Sequence, residues 1–341
     1  MHRDPPQSAR TVRRRAPSDP TPAVAVERAR MVPDRYRTFA ADPSHNASVF
    51  GLQDGLLQEL LDLGLPHERR DGRLFLDPLD LENTTHLLGL PSPYRSALDL
   101  WSRSLRDPDS LTGSRYQITL RWTCPAPGHA AQCRFAAATQ ALAAVLQETG
   151  PAQADSLTVQ VETADTWHDF GKAIEPLVAA AAELAFHKVR WPLAGDPGFV
   201  RETGLAECRL ATRHLLRVAE EAGIAAGAAC GFFLGLPFPA PHAWLEVRTE
   251  DGWCAADPFF LGTLHGWGVL DPHDWPVRRS PRQLLWRTGV EFSSHVPLLT
   301  HNGHSVPVRV TARRTRRGLL RGPADQEGIS PGGLPCPRSR P

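Results

Sequence analysis

Residues 242–258 have the sequence HAWLEVRTEDGWCAADP, which predicts a β-hairpin with a polar turn. The first strand alternates between two faces, so His242 lies on the same face as Trp244. The second strand leads back to Asp257, and Pro258 ends the ladder because it lacks a backbone N–H. The hairpin therefore decides which polar side chains can meet.

The register of this hairpin sets the distance between its histidine and its aspartate. If Val247 pairs with Gly252 around a four-residue loop, Asp257 lies opposite His242 on the same face. A carboxylate there accepts one ring N–H and orients the other ring nitrogen toward a nucleophile. We therefore expect an imidazole–carboxylate pair.

A helical pattern follows Cys208. Apolar residues recur at helical spacing from Ala211 to Ala222, and Gly223 stands where a C-terminal cap belongs. Cys208 is thus expected in the first turn, where backbone N–H groups and the helix dipole favour thiolate over thiol. A nearby imidazolium would lower its pKa further. The sequence predicts a thiol nucleophile.

These residues resemble the core of the transglutaminase-like branch of the papain-fold cysteine enzymes. The resemblance spans roughly residues 165 to 265, and its motifs are the Cys208 helix start, Gly223-Ile224-Ala225-Ala226, Gly231-Phe232, His242-Ala243-Trp244-Leu245-Glu246-Val247, Gly252-Trp253 and Asp257-Pro258. One departure is the sequence GIAAG at 223–227, where the family usually has GIPAR. The resemblance implies an α+β fold in which a cysteine-bearing helix packs on an antiparallel sheet that carries the histidine and the aspartate.

The resemblance also implies a thioester on Cys208, with His242 moving the proton and Asp257 holding the ring. We expect acyl transfer from a peptide, amide or carrier-protein thioester, with amide bond formation to an amine acceptor. One alternative is a cysteine peptidase or amidase that hydrolyses an amide. A second is a non-catalytic binding module with the same fold.

No metal or cofactor is expected. The segment 124–133 offers two cysteines and one histidine, whereas a structural zinc site needs four ligands. The segment 295–304 contains three histidines without a carboxylate among them. Cys230 and Cys254 lie on apolar strand segments and are expected to be buried core residues.

Composition narrows the class of protein. The net charge of +1 argues against a nucleic-acid partner, and the arginine clusters at 13–15 and 313–317 suit solvated segments. No apolar stretch follows residues 1–6 and none is long enough to span a membrane, so we expect a cytoplasmic protein with no membrane partner. The six cysteines lack the regular spacing of a disulfide framework. The oligomeric state stays open.

Composition shifts predict four segments. These are a disordered Pro/Arg-rich tail at 1–35, an amino-terminal α+β region of unknown role at 36–164, a transglutaminase-like catalytic domain at 165–320 and a disordered tail at 321–341. Apolar patterns predict helices through 56–65, 94–105, 135–146 and 172–189, and strands at 116–122 and 157–161. Residues 280–310 are expected to add helix and strand that close the sheet.

Overall fold

The computed structural model describes residues 21–42, 49–107, 114–125, 135–137, 155–164, 166–289, 292 and 298–315. These residues form the helices α1 (Pro22–Arg30), α2 (Asp54–Asp62), α3 (Pro78–Leu87), α4 (Pro93–Leu105), α5 (Glu175–Ala182), α6 (Pro197–Thr203), α7 (Cys208–Glu221) and α8 (Pro258–Gly266). They also form the strands β1 (His67–Arg70), β2 (Arg73–Leu76), β3 (Arg115–Arg121), β4 (Phe135–Ala137), β5 (Ser156–Glu162), β6 (Ala185–Phe186), β7 (Leu205–Ala206), β8 (Ala226–Phe233), β9 (Ala240–Thr249), β10 (Gly252–Ala256), β11 (Leu285–Arg287), β12 (Leu299–His301), β13 (His304–Ser305) and β14 (Arg309–Thr315). The fold is α+β with antiparallel sheets.

Helix α7 begins where the sequence predicts, because the side chain of Glu207 accepts the N–H groups of its first turn. The helix packs Leu210 and Leu215 in one apolar cluster with Leu245 of β9. It ends before Gly223, whose φ of +68° is available to glycine at little steric cost. An amphipathic pattern thus packs α7 on the sheet with Cys208 as the first residue of the helix.

The sheet that α7 covers has the strand order β10-β9-β8-β11. Its opposite face is buried by a second apolar cluster, in which Trp244 of β9 meets Trp101 of α4 and Phe260 of α8. A close approach between β8 and β11 requires Gly231, since a Cβ there would lie 1.9 Å from the carbonyl oxygen of Trp286. Gly231 pairs with His242, so this approach fixes the centre of the sheet.

The register of the β9–β10 hairpin differs from the expected one. Thr249 pairs with Gly252, so the loop contains two residues and not four, and Gly252 has a φ of +115°. The difference moves the pairing by two residues, and a shift of two keeps every side chain on its face. His242 therefore stays on the face that the alternation predicts.

A second sheet has the order β14-β3-β5. The alternating burial of β3 confirms the predicted strand, and β5 lies where a strand was expected. Strand β14, at 309–315, pairs along the whole of β3, which joins the end of the expected catalytic segment to the amino-terminal region. Phe232 of β8 packs in the apolar cluster of this second sheet, so the two sheets share a core.

Part of the expected amino-terminal tail is structured, which corrects the boundary at residue 35. Helix α1 is capped by Thr21, and it buries Val26 and Ala29 in a cluster with Leu60 and Leu81. A short apolar stripe within a polar, proline-rich segment is enough for a helix when a partner covers it.

Two predicted helices also need correction. Residues 135–137 form β4, which pairs with β12, and the remainder of 135–146 lies outside the described residues. The helix expected over 172–189 is confined to α5, and β6 then pairs in parallel with β7. Strand pairing with distant partners overrides helix propensity in both segments.

Residues 280–310 divide between two sheets. Strand β11 pairs with β8 and closes the central sheet as expected, whereas β12 pairs with β4 and β13. Across the described parts of the chain, we find no helix with the length and apolarity that a bilayer crossing needs.

Candidate active site

His242 and Asp257 form a buried pair. The distance between Nε2 of His242 and Oδ2 of Asp257 is 2.6 Å, and their side chains are 4% and 7% exposed. The other carboxylate oxygen of Asp257, Oδ1, accepts the backbone N–H of Phe260 at 3.1 Å and so caps helix α8. The helix cap thus fixes the carboxylate that holds the ring.

Aromatic side chains enclose the imidazole. The ring of Phe260 lies 4.1 Å from that of His242 between centroids, and the indole of Trp244 is stacked at 6.1 Å. Because Nε2 of His242 is engaged by Asp257, Nδ1 is the nitrogen left for exchanging a proton with another group. This environment sets the ring orientation.

Cys208 lies beside the part of β9 that has no partner in β10. Strand β10 ends at Ala256, which pairs with Leu245, so the ladder does not extend to Ala243. The N–H of Ala243 donates instead to the sulfur of Cys208. Cys208 of α7 thus lies at the open end of the hairpin, beside Ala243, which follows His242 in the chain.

Glu207 also contacts the thiol. The Cys208 sulfur donates to Oε2 of Glu207 at 3.3 Å, and the same carboxylate accepts the N–H groups of Arg209 and Leu210 at 3.0 and 2.9 Å. Although Cys208 as a residue is only partly buried, protein atoms enclose its sulfur. Burial first, and the Glu207 charge second, raise the pKa of Cys208 well above its ordinary value.

This thiol corrects the expectation that the helix start favours the thiolate. The carboxylate of Glu207 accepts the N–H groups at the positive end of α7, so these groups do not stabilise a thiolate. Its charge also opposes a second negative charge on the adjacent sulfur. Both effects favour the protonated thiol over the thiolate. Glu207 was not predicted as part of the site, and its signal was an acidic residue directly before a helix start.

The structure brings His242 and Asp257 into contact, and it places Cys208 at the backbone N–H of Ala243, the residue that follows His242. Among the described residues, Cys208 has hydrogen bonds to Glu207 and Ala243 and none to His242.

In the part of the chain that the structure describes, the other cysteines and histidines form no comparable group. Cys230 and Cys254 are buried, as expected of core residues. Cys124 Sγ lies 3.6 Å from Nε2 of His301, while residues 126–134 and 293–297 lie outside the described part of the chain. Within the residues that the structure describes, no three His, Cys, Asp or Glu side chains are placed to hold a metal ion.

Comparison with known proteins gives no match to any family model, any curated protein or any solved structure. The arrangement of Cys208, His242 and Asp257 is therefore the basis on which a function can be proposed.

Proposed function

We propose that this protein is a thiol enzyme that transfers an acyl group through a thioester on Cys208. The observation that carries the proposal is the buried 2.6 Å pair of His242 and Asp257 beside a cysteine at a helix start. Pairs of this kind orient an imidazole so that it can take a proton from a thiol. The transglutaminase-like family is the class that these residues resemble.

In the proposed reaction, Cys208 turns from Glu207 to the imidazole and gives its proton to Nδ1 of His242. The sulfur then forms a bond to the acyl carbonyl carbon, and the leaving group departs with the proton from His242. An amine acceptor next attacks the thioester and loses a proton to His242, which returns it to the released sulfur. Asp257 accepts the hydrogen bond from the Nε2 N–H throughout, without taking the proton, and stabilises the charged ring.

Burial supports transfer over hydrolysis. The His242 and Asp257 side chains are almost fully enclosed. A site that excludes water favours attack on the thioester by a bound amine over attack by water. We therefore propose that an amine resolves the thioester and that the product is an amide.

Intact mass measured over time tests this proposal. The full chain is incubated with an acyl thioester of N-acetylcysteamine, first alone and then with a primary amine. We expect an acyl adduct that accumulates and then disappears as amide forms. Cys208→Ala should give no adduct, whereas Cys230→Ala, which removes another buried thiol, should still give one.

Two results would replace the proposal. Rapid release of free acid that does not respond to amine, together with cleavage of peptides, would make the protein a peptidase or amidase. A folded chain that forms no adduct with thioester, amide or peptide donors would support the binding module instead.

A further inference from the structure

A cavity of about 470 Å³ lies outside the candidate active site. Its walls come from α1, α3, α5, β6 and α8, and none of Cys208, His242 and Asp257 lines it. The volume falls within the range of about 300–1,000 Å³ that small-molecule sites occupy. Apolar side chains such as Phe186 and Trp267 form most of the wall.

Two imidazoles in this wall lack partners. The Nε2 atoms of His86 and His187 are buried and have no hydrogen-bond partner among the residues that the structure describes, and His187 is only 3% exposed. Burial lowers the pKa of His86 to about 4 and that of His187 to about 3, so both rings are neutral near pH 7. An unpaired buried nitrogen is unfavourable, and a hydrogen bond from a ligand in the adjoining cavity would offset that cost.

One wall residue carries a charge. Arg28 of α1 lines the cavity, and burial is the main cause that lowers its pKa. Within the described residues, no carboxylate lies at salt-bridge distance from Arg28, and no Asp or Glu lines the cavity. The wall therefore presents one positive charge and no negative charge to whatever enters.

Two glycines of α8 keep the space open. Gly262 and Gly266 are one turn apart and both line the cavity. A Cβ at Gly262 would meet only Val277 Cγ1, at 4.0 Å, and one at Gly266 would meet nothing within 4 Å. Neither position has a positive φ, so a Cβ at either is unstrained, and we expect a larger side chain there to occupy part of the cavity.

We propose that this cavity binds a small monocarboxylate with an apolar or aromatic body. The carboxylate pairs with the guanidinium of Arg28, which has no ion pair among the described residues although the Glu27 charge acts on it, and the body packs between Phe186, Trp267 and the aliphatic wall. One carboxylate matches the single charge, and its second oxygen can accept an imidazole N–H. The cavity does not include Cys208, His242 or Asp257, so a test of this proposal does not depend on the proposed acyl transfer.

Isothermal titration of the full chain with phenylacetate and with its neutral counterpart phenylacetamide tests the proposal. We expect phenylacetate to bind at least about tenfold more tightly than the amide. Arg28→Gln should remove that preference. Arg30→Gln, which changes an exposed arginine of the same helix, should keep it.

A cavity-filling variant separates binding from folding. Gly262→Leu should weaken phenylacetate binding at least about tenfold and should not lower stability, since leucine has a higher helix propensity than glycine. Gly55→Leu makes the same exchange on α2, where a Cβ meets nothing within 4 Å, and should leave binding unchanged. Equal affinity for acid and amide, an unaltered affinity in Gly262→Leu, or no binding of either probe would overturn the proposal.

Discussion

Oε2 of Glu207 lies 3.3 Å from the Cys208 sulfur and accepts the hydrogen bond that the thiol donates. This contact keeps the nucleophile protonated at a helix start that would otherwise favour the thiolate. In the proposed acyl transfer, Glu207 is a positioning residue whose charge governs when Cys208 becomes reactive.

Removing that charge should make the cysteine more reactive. In Glu207→Gln the amide oxygen can still cap α7, but the repulsion of a thiolate is gone, so the pKa of Cys208 should fall. We expect the rate of alkylation by iodoacetamide at pH 7 to rise about three- to tenfold. Mass spectrometry of the Cys208 adduct measures it, and Glu220→Gln, an exposed change on the same helix, serves as the control. An unchanged rate would mean that Glu207 does not control the thiol.

We expect that Cys208, the proposed nucleophile, can be replaced without loss of the fold. Cys208→Ala should abolish turnover, and Cys208→Ser should be nearly as poor because a hydroxyl ionises far less readily than a thiol. Circular dichroism should show that both variants stay folded. Turnover in Cys208→Ala would exclude the proposed thioester.

Asp257 should matter in two separable ways. Asp257→Asn can still cap α8 but does not stabilise a charged His242, so we expect turnover to drop by about 10²–10⁴-fold at little loss of stability. Asp257→Ala should also lose about 1 kcal/mol of stability with the cap. Asp196→Ala removes the comparable cap of α6 and should cost stability alone. Full activity in Asp257→Asn would remove this residue from the mechanism.

The pKa of His86 predicts acid sensitivity. Burial lowers this pKa from 6.5 to about 4 in the folded state, so its stabilising contribution is complete above pH 6.5 and is lost as pH falls toward about 4. His86→Phe keeps an aromatic ring against Tyr94 and Trp267. As pH falls from 6.5 to about 4, its free energy of unfolding should decrease by up to about 3 kcal/mol less than that of the original chain. Urea unfolding at several pH values measures the difference. The exposed His273→Phe serves as the control, and parallel pH curves for His86→Phe and the original chain would contradict the assignment.

Gly231 should tolerate no side chain. A Cβ there would lie 1.9 Å from the Trp286 carbonyl oxygen, so Gly231→Ala must separate β8 from β11, and we expect a loss of about 3 kcal/mol or more. Thermal unfolding compares it with Gly227→Ala on the same strand, where a Cβ meets nothing within 4 Å. Equal melting temperatures for the two variants would show that the close approach does not constrain the sheet.

Local patterns in the sequence determined the elements that carry the candidate site. Period two in residues 242–247 placed His242 on its face, and this held although the loop is two residues shorter than expected. Helical spacing after Cys208 placed that residue at the start of α7. Both patterns depend on backbone geometry within a few residues, which is why one strand or one helix suffices to show them.

Contacts between distant parts of the chain decided the features that local patterns did not predict. The pairing of β14 with β3 joins residues about 200 positions apart, and the burial of α1 depends on α2 and α3, so neither leaves a local pattern. The protonated state of Cys208 is also a tertiary property. The helix start by itself favours a thiolate, but burial of the sulfur and the orientation of the Glu207 carboxylate reverse that preference. Desolvation and charge are set by the atoms that surround a group in space, and only the folded chain specifies those atoms.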